Sequence, residues 1–460
     1  MNSADIYDQL VALLGETKVS VDAPVLEAHA IDKWWASNLP DVVVFAETRD
    51  DVVAVMKFAN EHEVPVTTRG SGVGYVGGCV PVDAGIVLSV ARMARLREIN
   101  PVDGVVVTEP GVILSDLQSA VKEQGMFYPP DPSSVKECSI GGTVATNAGG
   151  PKCLKYGVTR PYVLGLEVVL ANGDVLRTGG RTHKNKTGFD LIGMFVGSEG
   201  LLGVITEITL RLIPNPPARA TFSVAFGDYA EAASAVQTVF AAGFLPCAME
   251  IADAFTLAAA RNYPGNDIIP DGDAHLLIDL DGQPGAVKSD VGALRKLLES
   301  LDPLSIDVAV GEVECEKLWE IRRSFSYSLR DTGLHKLNQD IAVPRSRLVD
   351  LVEFCERLQA DTGIAIACFG HAGDGNIHVN LMVDPAAMTN AEERPKIDDA
   401  VDQLFVQVLA WDGVITGEHG IGVARLPWWT RAVTEVGRRV HADLKKALDP
   451  KAILNPGKFV

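Results

Sequence analysis

The chain has 460 residues, more than one hydrophobic core sustains and enough for two or three domains. Apolar residues make up 47% and charged residues 22%, the balance of an ordinary soluble globular protein. Against 41 basic residues stand 60 acidic ones, a formal charge of −19 that repels phosphate backbones and anionic lipid and argues against general nucleic-acid binding.

The N-terminal MNSADIYDQL is acidic where a secretory signal is basic, and no apolar run follows it. VVVF (42–45) reads as a strand and residues 50–62 as a helix, with Val52, Val53 and Met56 at helical spacing. VPVTT (64–68), GIVLSV (85–90) and GVVVTEPG (104–111) read as strands, and 114–124 as a helix. LGLEVVL, GDVLRTG and VITEITLRL, between 164 and 212, are three further strand runs. The proline-rich IPNPPARA (213–220) is a break, so a first domain is expected over 1–215.

Beyond it come FSVAF (222–226), a helix over 229–242, LPCAMEIAD, LLIDL (276–280), a helix over 288–301 and IDVAVG (306–311). Strand–helix–strand–strand–helix–strand is the split βαβ order and predicts a ferredoxin-like antiparallel sheet with two helices on one face. A helix over 314–331 and the segment 363–382 extend this second domain, expected over 216–425. A terminal segment, 426–460, closes the chain with DLKKALDPKAILNPGKF, a short helix stopped by prolines. The expected class is α+β. No run reaches the roughly 18 apolar residues of a membrane span. The seven cysteines form no CxxC pair, which fits reduced thiols and a cytoplasmic location.

Three glycine-rich stretches carry the chemistry of the first half. In RGSGVGYVGGCVP (69–81), Gly72, Gly74 and Gly77 satisfy GxGxxG, but Pro81 and another strand follow where a dinucleotide fold needs a helix. The loop can instead form a nest of backbone N–H groups around a pyrophosphate. PPDPSSVKECSIGGTVATNAGG (129–150) offers small hydroxyls and little bulk, and VGSEGLLGVIT (196–206) runs into a strand. Together they predict a long, phosphate-bearing cofactor laid across several loops.

PPDPSS, CSIGGTVATNAGG, LKYGVTR, NKTGFDL and GSEGLLGVIT, in this order, resemble the flavin domain of the FAD-dependent vanillyl-alcohol-oxidase-type superfamily. More narrowly, the chain is similar to the glycolate oxidase, D-lactate dehydrogenase and D-2-hydroxyglutarate dehydrogenase family, from about residue 40 to the terminal ILNPGK. Leu201 stands where that family usually has Thr. The resemblance implies a two-part FAD-binding domain with a ferredoxin-like cap. It implies FAD contacts from Arg69, Gly70, Ser71, Gly72, Val73 and Gly74 at the pyrophosphate. Pro130, Asp131, Ser134, Ser139, Gly142, Thr146 and Asn147 would line the cofactor, with Gly203, Ile205 and Asn455 completing the set. Covalent members carry a histidine in the first loop, and GVGYVGG has none, so non-covalent FAD is expected.

A second constellation lies in GHAGDGNIHVN (370–380) and TGEHGIG (416–422). IHVNL reads as a strand with His378 and Asn380 on one face, and the AGDGN loop can fold His371 back beside His378. Two imidazoles and the Glu418 carboxylate make a three-ligand site with open positions, the arrangement of a catalytic divalent metal. The resemblance agrees: His371, His378 and Glu418 match the family's metal ligands, usually zinc, with manganese or iron also compatible, and His419 matches its base. In EKLWEIRRSFSYSLR, Arg322 and Ser326 share a helix face, and Lys336 stands before the DIAVP strand. The family pattern makes Arg322, Ser326, Lys336 and Asn380 the expected substrate contacts.

The expected reaction is oxidation of a D-2-hydroxyacid, D-lactate or glycolate before D-2-hydroxyglutarate, with hydride passing from C2 to flavin N5 and the proton to His419. The chain has no iron–sulfur motif, so electrons are expected to leave to a quinone or to an electron-transfer or iron–sulfur partner protein. Such a partner would allow peripheral membrane association, and the family is compatible with a homodimer. Competing readings are an FAD oxidase of another alcohol, a zinc hydrolase and a non-catalytic subunit. The first has no need of the histidines, the second none of the glycine loops, and the third none of an intact His–His–Glu–His set.

Overall fold

After an opening helix, Ser3–Leu14, short valine- and isoleucine-rich strands buried on both faces build the first sheet, as parallel pairing requires. A four-stranded sheet runs in the order Val19–Ser20, Val42–Phe45, Ile86–Ser89, Val66–Arg69, parallel except at its first pair. The helix Arg49–His62 crosses between two of these strands. It opens on a capping box, Thr48 with Asp51, and buries Val52, Val55, Met56 and Ala59. The chain end returns to this sheet, where Val66 N donates to Ile453 O at 2.7 Å and Asn455 N to Val66 O at 2.8 Å. A second, antiparallel sheet has the order Leu96–Asn100, Val105–Thr108, Val204–Arg211, Val163–Val169, Val175–Gly179.

This computed structural model describes residues 1–264 and 268–460. The chain divides into two compact units, one of 1–149, 158–215 and 418–460 and the other of 150–157 and 216–417. The sequence expectation put the return to the first unit at residue 426, whereas the chain rejoins it at Glu418. Hydrogen bonds account for the earlier return. Ile421 N and Gly422 N donate to Glu199, and Val423 N donates to Val76 O, so the second half of TGEHGIG is tied to the first unit.

The second unit is built on a seven-stranded sheet in which every neighbouring pair is antiparallel. Its order is Ser305–Val310, Ala218–Phe226, Ala274–Gly282, Ala248–Ala252, Ala365–His371, Asn376–Val383, His335–Ala342. Taken in sequence, the first four stand fourth, first, third, second, which is the ferredoxin-like arrangement. Tyr229–Ala241 and Pro284–Glu299 are its two helices and pack on each other.

A further helix, Glu312–Asp331, lies on the other face with Ala254–Asn262. Its Ile321, Phe325 and Leu329 make a core with Ala252, Ala367, Phe369 and Met382. Side chains alternate along strands, so this same face carries Glu250, His371, His378, Asn380 and Lys336. Lys336 lies inside the strand His335–Ala342, opposite Met382, rather than before it. Among the described residues no helix is long and apolar enough to cross a membrane. All seven cysteines are free thiols.

Candidate functional site

The three glycine-rich stretches meet around one cavity in the first unit. Gly70, Ser71, Gly72, Val73, Gly74, Ser134, Ser139, Gly142, Thr146, Gly203 and Ile205 all line it, with Ser198, Glu199, Glu418 and His419. Lack of side chains is what lets the loops close in. A Cβ on Gly70 would overlap Ser139 Oγ, and Gly72 has φ +68°, a left-handed conformation that favours glycine. The Ser139 hydroxyl accepts from Gly142 N at the start of the helix Ile140–Thr146. Thr68 Oγ1, buried in the same wall, has no hydrogen-bond partner within the protein, as expected of a group that meets a ligand. A main-chain wall of this length, with small hydroxyls and an orphaned one, fits FAD.

Other cofactor residues expected from the sequence stand behind the wall. Arg69 donates from Nη1 to Ile31 O at 2.6 Å and from Nη2 to Ala28 O at 3.2 Å, so its guanidinium serves protein carbonyls. Pro130 O accepts from Gln118, and Asn147 Oδ1 accepts from Arg160 N. Asn455 Nδ2 donates to Gly78 O at 3.0 Å and Glu199 O at 2.7 Å, bracing two cofactor loops. Pro130, Asp131, Asn147 and Asn455 are not among the described residues that line the cavity. Asp32 braces the first loop, accepting from Trp34 N and Gly77 N, and burial pushes its carboxyl up to about 6.

His419 enters this cavity with its ring stacked on Tyr75, centroids 5.4 Å apart and planes at 30°. Its Nε2 lies 3.7 Å from Glu418 Oε1. The turn that carries both is held by Glu199, whose Oε1 accepts from Ile421 N and Oε2 from Gly422 N, each at 2.8 Å. Burial lifts the Glu199 carboxyl above its ordinary range, with the two backbone donors opposing.

In the second unit, the register brings the two expected histidine ligands together. Phe369 stands opposite His378, and His371 is two residues along the same strand face, a diagonal neighbour. The two imidazoles lie 5.5 Å apart, edge to face. His371 Nδ1 is 2.6 Å from Glu250 Oε1, and Arg322 Nε donates to Glu250 Oε2 at 2.5 Å. Burial opposes the Glu250 charge, but His371 and Arg322 outweigh it and hold the carboxyl below the usual range. Asp340 lies 3.7 Å from His378 Nδ1 and accepts from Asn376, Thr416 and Gly417.

The expected substrate contacts divide. Lys336 Nζ donates to Ser326 Oγ at 2.8 Å, and the ammonium lies 5.7 Å from the Phe369 ring centre. Arg322 stacks over the same ring at 4.8 Å. Burial, with Arg330 and Arg322 adding repulsion, pulls the Lys336 pKa down to about 7. Asn380 is different. Fully buried, it donates to Ala367 O and His378 O and accepts from Asn338, so its amide is committed to the sheet.

Sequence reasoning missed Glu199, Glu250 and Asp340. The signal for Glu250 was an acid at an inward position of the apolar run AMEIA, where an unpaired carboxylate is too costly to stand without a partner.

Comparison with known proteins agrees with this architecture. A model described as "FAD binding domain" matches residues 40–179, and one described as "FAD linked oxidases, C-terminal domain" matches 215–459. The chain is 38% identical to "Glycolate oxidase subunit GlcD" of Bacillus subtilis (strain 168), over 100% of this chain and 97% of the relative. It is 34% identical to "D-lactate dehydrogenase" of Archaeoglobus fulgidus, over 91% of each. The solved 4-ethylphenol oxidase from Gulosibacter chungangensis superposes with a TM-score of 0.79 at 19% identity, covering 99% of this chain and 96% of that one, a likeness of fold. Three converging glycine loops and near full-length kinship thus agree: the chain belongs to the FAD-linked oxidases, as an FAD-dependent oxidoreductase.

Proposed function

We propose that the protein oxidises a D-2-hydroxyacid to the 2-oxoacid, with D-lactate or glycolate as the substrate. The carrying observation is that His419, a residue suited to general-base work, lines the cavity formed by the three cofactor loops. The relatives' names, glycolate oxidase subunit and D-lactate dehydrogenase, point to the same substrate class.

In this reading bound FAD, held without a covalent link, supplies the acceptor for the C2 hydrogen and its electron pair, and a divalent cation, zinc first, held by His371, His378 and Glu418 supplies a Lewis acid. The grip of Glu250 on His371 Nδ1 supports the cation assignment, because metal-ligating imidazoles are commonly fixed by a carboxylate on the other nitrogen. His419 takes the hydroxyl proton on its ring, and Glu199 keeps the turn that carries it in register. Arg322 and Lys336 receive substrate carboxylate, the former as a planar fork and the latter as a point charge steadied by Ser326. Electrons then leave to a quinone or to an electron-transfer or iron–sulfur partner.

An anaerobic spectrum of the purified, zinc-loaded protein tests the reading. D-lactate or glycolate should bleach the visible flavin band, and L-lactate should not. A band that no 2-hydroxyacid bleaches would refute the substrate class. Bleaching by an aromatic alcohol instead would favour the alternative alcohol oxidase.

Lys336 gives a pH dependence. Its pKa is lowered to about 7, so the ammonium that grips a carboxylate is present below that value and lost above it. Binding of oxalate, a carboxylate probe, should weaken by up to tenfold per pH unit above about 7. Lys336→Met should bind oxalate weakly at every pH, with the step near pH 7 gone. Identical pH profiles for the two proteins would remove Lys336 from the site.

A further inference from the structure

Glu250 is 1% exposed on an inner strand, between Met249 and Ile251. A carboxylate in such a place is costly unless both oxygens are used. Both are, but by different residues: Oε1 faces His371 Nδ1 at 2.6 Å and Oε2 accepts from Arg322 Nε at 2.5 Å. A Glu–Arg pair serving stability alone gains most as a fork-to-fork contact between one carboxylate and one guanidinium. Here the carboxylate is instead divided between an imidazole and one edge of the arginine. That arginine is also fixed from below by the Phe369 ring, 4.8 Å from its guanidinium carbon.

We propose that Glu250 is a positioning residue that couples the cation site to the substrate-carboxylate site. By accepting at Nδ1 it fixes the His371 tautomer and directs Nε2 to the cation, raising its basicity. By accepting at Nε it locks the Arg322 plane and leaves the terminal amino groups to grip the substrate. The two functions therefore share one carboxylate, and disturbing it damages both. The inference rests on the assignment of His371 as a cation ligand and Arg322 as a substrate contact.

The test compares the FAD-loaded wild type with Glu250→Gln. Glutamine keeps the shape but replaces one acceptor with an NH2 group, so it cannot accept from both His371 and Arg322. Zinc affinity is measured by competition with a chelator, and FAD content, KM and kcat on the same samples. Zinc affinity should fall 10–100-fold and KM should rise, while FAD content stays at the wild-type level. A merely structural role would lower folded yield without that selective loss of zinc. A second measurement needs no variant: nitrogen NMR of the wild-type imidazoles should find His371 protonated at Nδ1.

A Glu250→Gln protein with wild-type zinc affinity and KM overturns the coupling, as does a His371 protonated at Nε2. A wild type that takes up no zinc overturns the cation assignment itself, and the coupling with it. The two failures are therefore distinct.

Discussion

His419→Ala is expected to bind FAD as the wild type does and to lose reduction by D-2-hydroxyacid by 10²–10⁴-fold, the usual contribution of a positioned general base. This expectation follows from the place of the His419 ring. It lines the cofactor cavity, lies parallel to Tyr75 at 5.4 Å, and follows Glu418 in a turn whose backbone is held by other residues. Removing the imidazole therefore removes the proposed proton acceptor while the backbone of the turn keeps its hydrogen bonds to Glu199. Chemical reduction by dithionite should proceed at the wild-type rate, because it needs no proton taken from a substrate hydroxyl. The measurement is stopped-flow reduction under anaerobic conditions with each reductant. Rapid reduction of His419→Ala by substrate would dismiss the residue as base. A variant that loses FAD would make the histidine a cofactor support.

How much of this was legible in the chain follows from the range of the interactions. Gly70 and Gly72 announce a close-packed loop because the constraint is local: a Cβ or a negative φ would break it wherever the rest of the chain went. The cap sheet was legible for a similar reason, since alternating strands and helices leave few ways to order four strands. Arg69 shows the limit. Next to a glycine loop it looks like a phosphate ligand, and nothing local announces that its guanidinium also holds the Cys79 thiol and carbonyls at and beyond the end of the helix Ala23–His29, where a cation is welcome. AMEIA marks Glu250 as a buried acid in need of a partner, but the partners of Glu250 and Glu199 were illegible because they are remote. Glu250 meets His371 across 121 positions and Glu199 meets Ile421 across 222, separations that no local pattern encodes.

Glu199→Gln should reduce turnover by about ten- to a hundredfold while leaving FAD bound, the value expected when one buried hydrogen bond worth about 1–3 kcal/mol is lost from the turn that carries the proposed base. Glu199 is held in an unusual backbone state, φ +50°, by its own main chain: its N donates to Ala145 O at 2.8 Å and its O accepts from Asn455 Nδ2 at 2.7 Å. The side chain is thereby fixed under residues 420–422, and a Cβ on Gly420 would come within 2.7 Å of Oε1. Two converging N–H groups, Ile421 and Gly422, need two acceptors, which a carboxylate offers and a carboxamide does not. With glutamine, one N–H faces an NH2 group, and the turn must move to relieve it. His419, two residues before Ile421, moves with it. Hydrogen exchange at Ile421 and Gly422 should accelerate in the variant, while the amides of the strand Val66–Arg69 exchange as before. Wild-type turnover with faster exchange would mean that the turn tolerates motion and that His419 is not positioned through Glu199. Wild-type turnover with unchanged exchange would mean that the carboxylate is not what holds the turn.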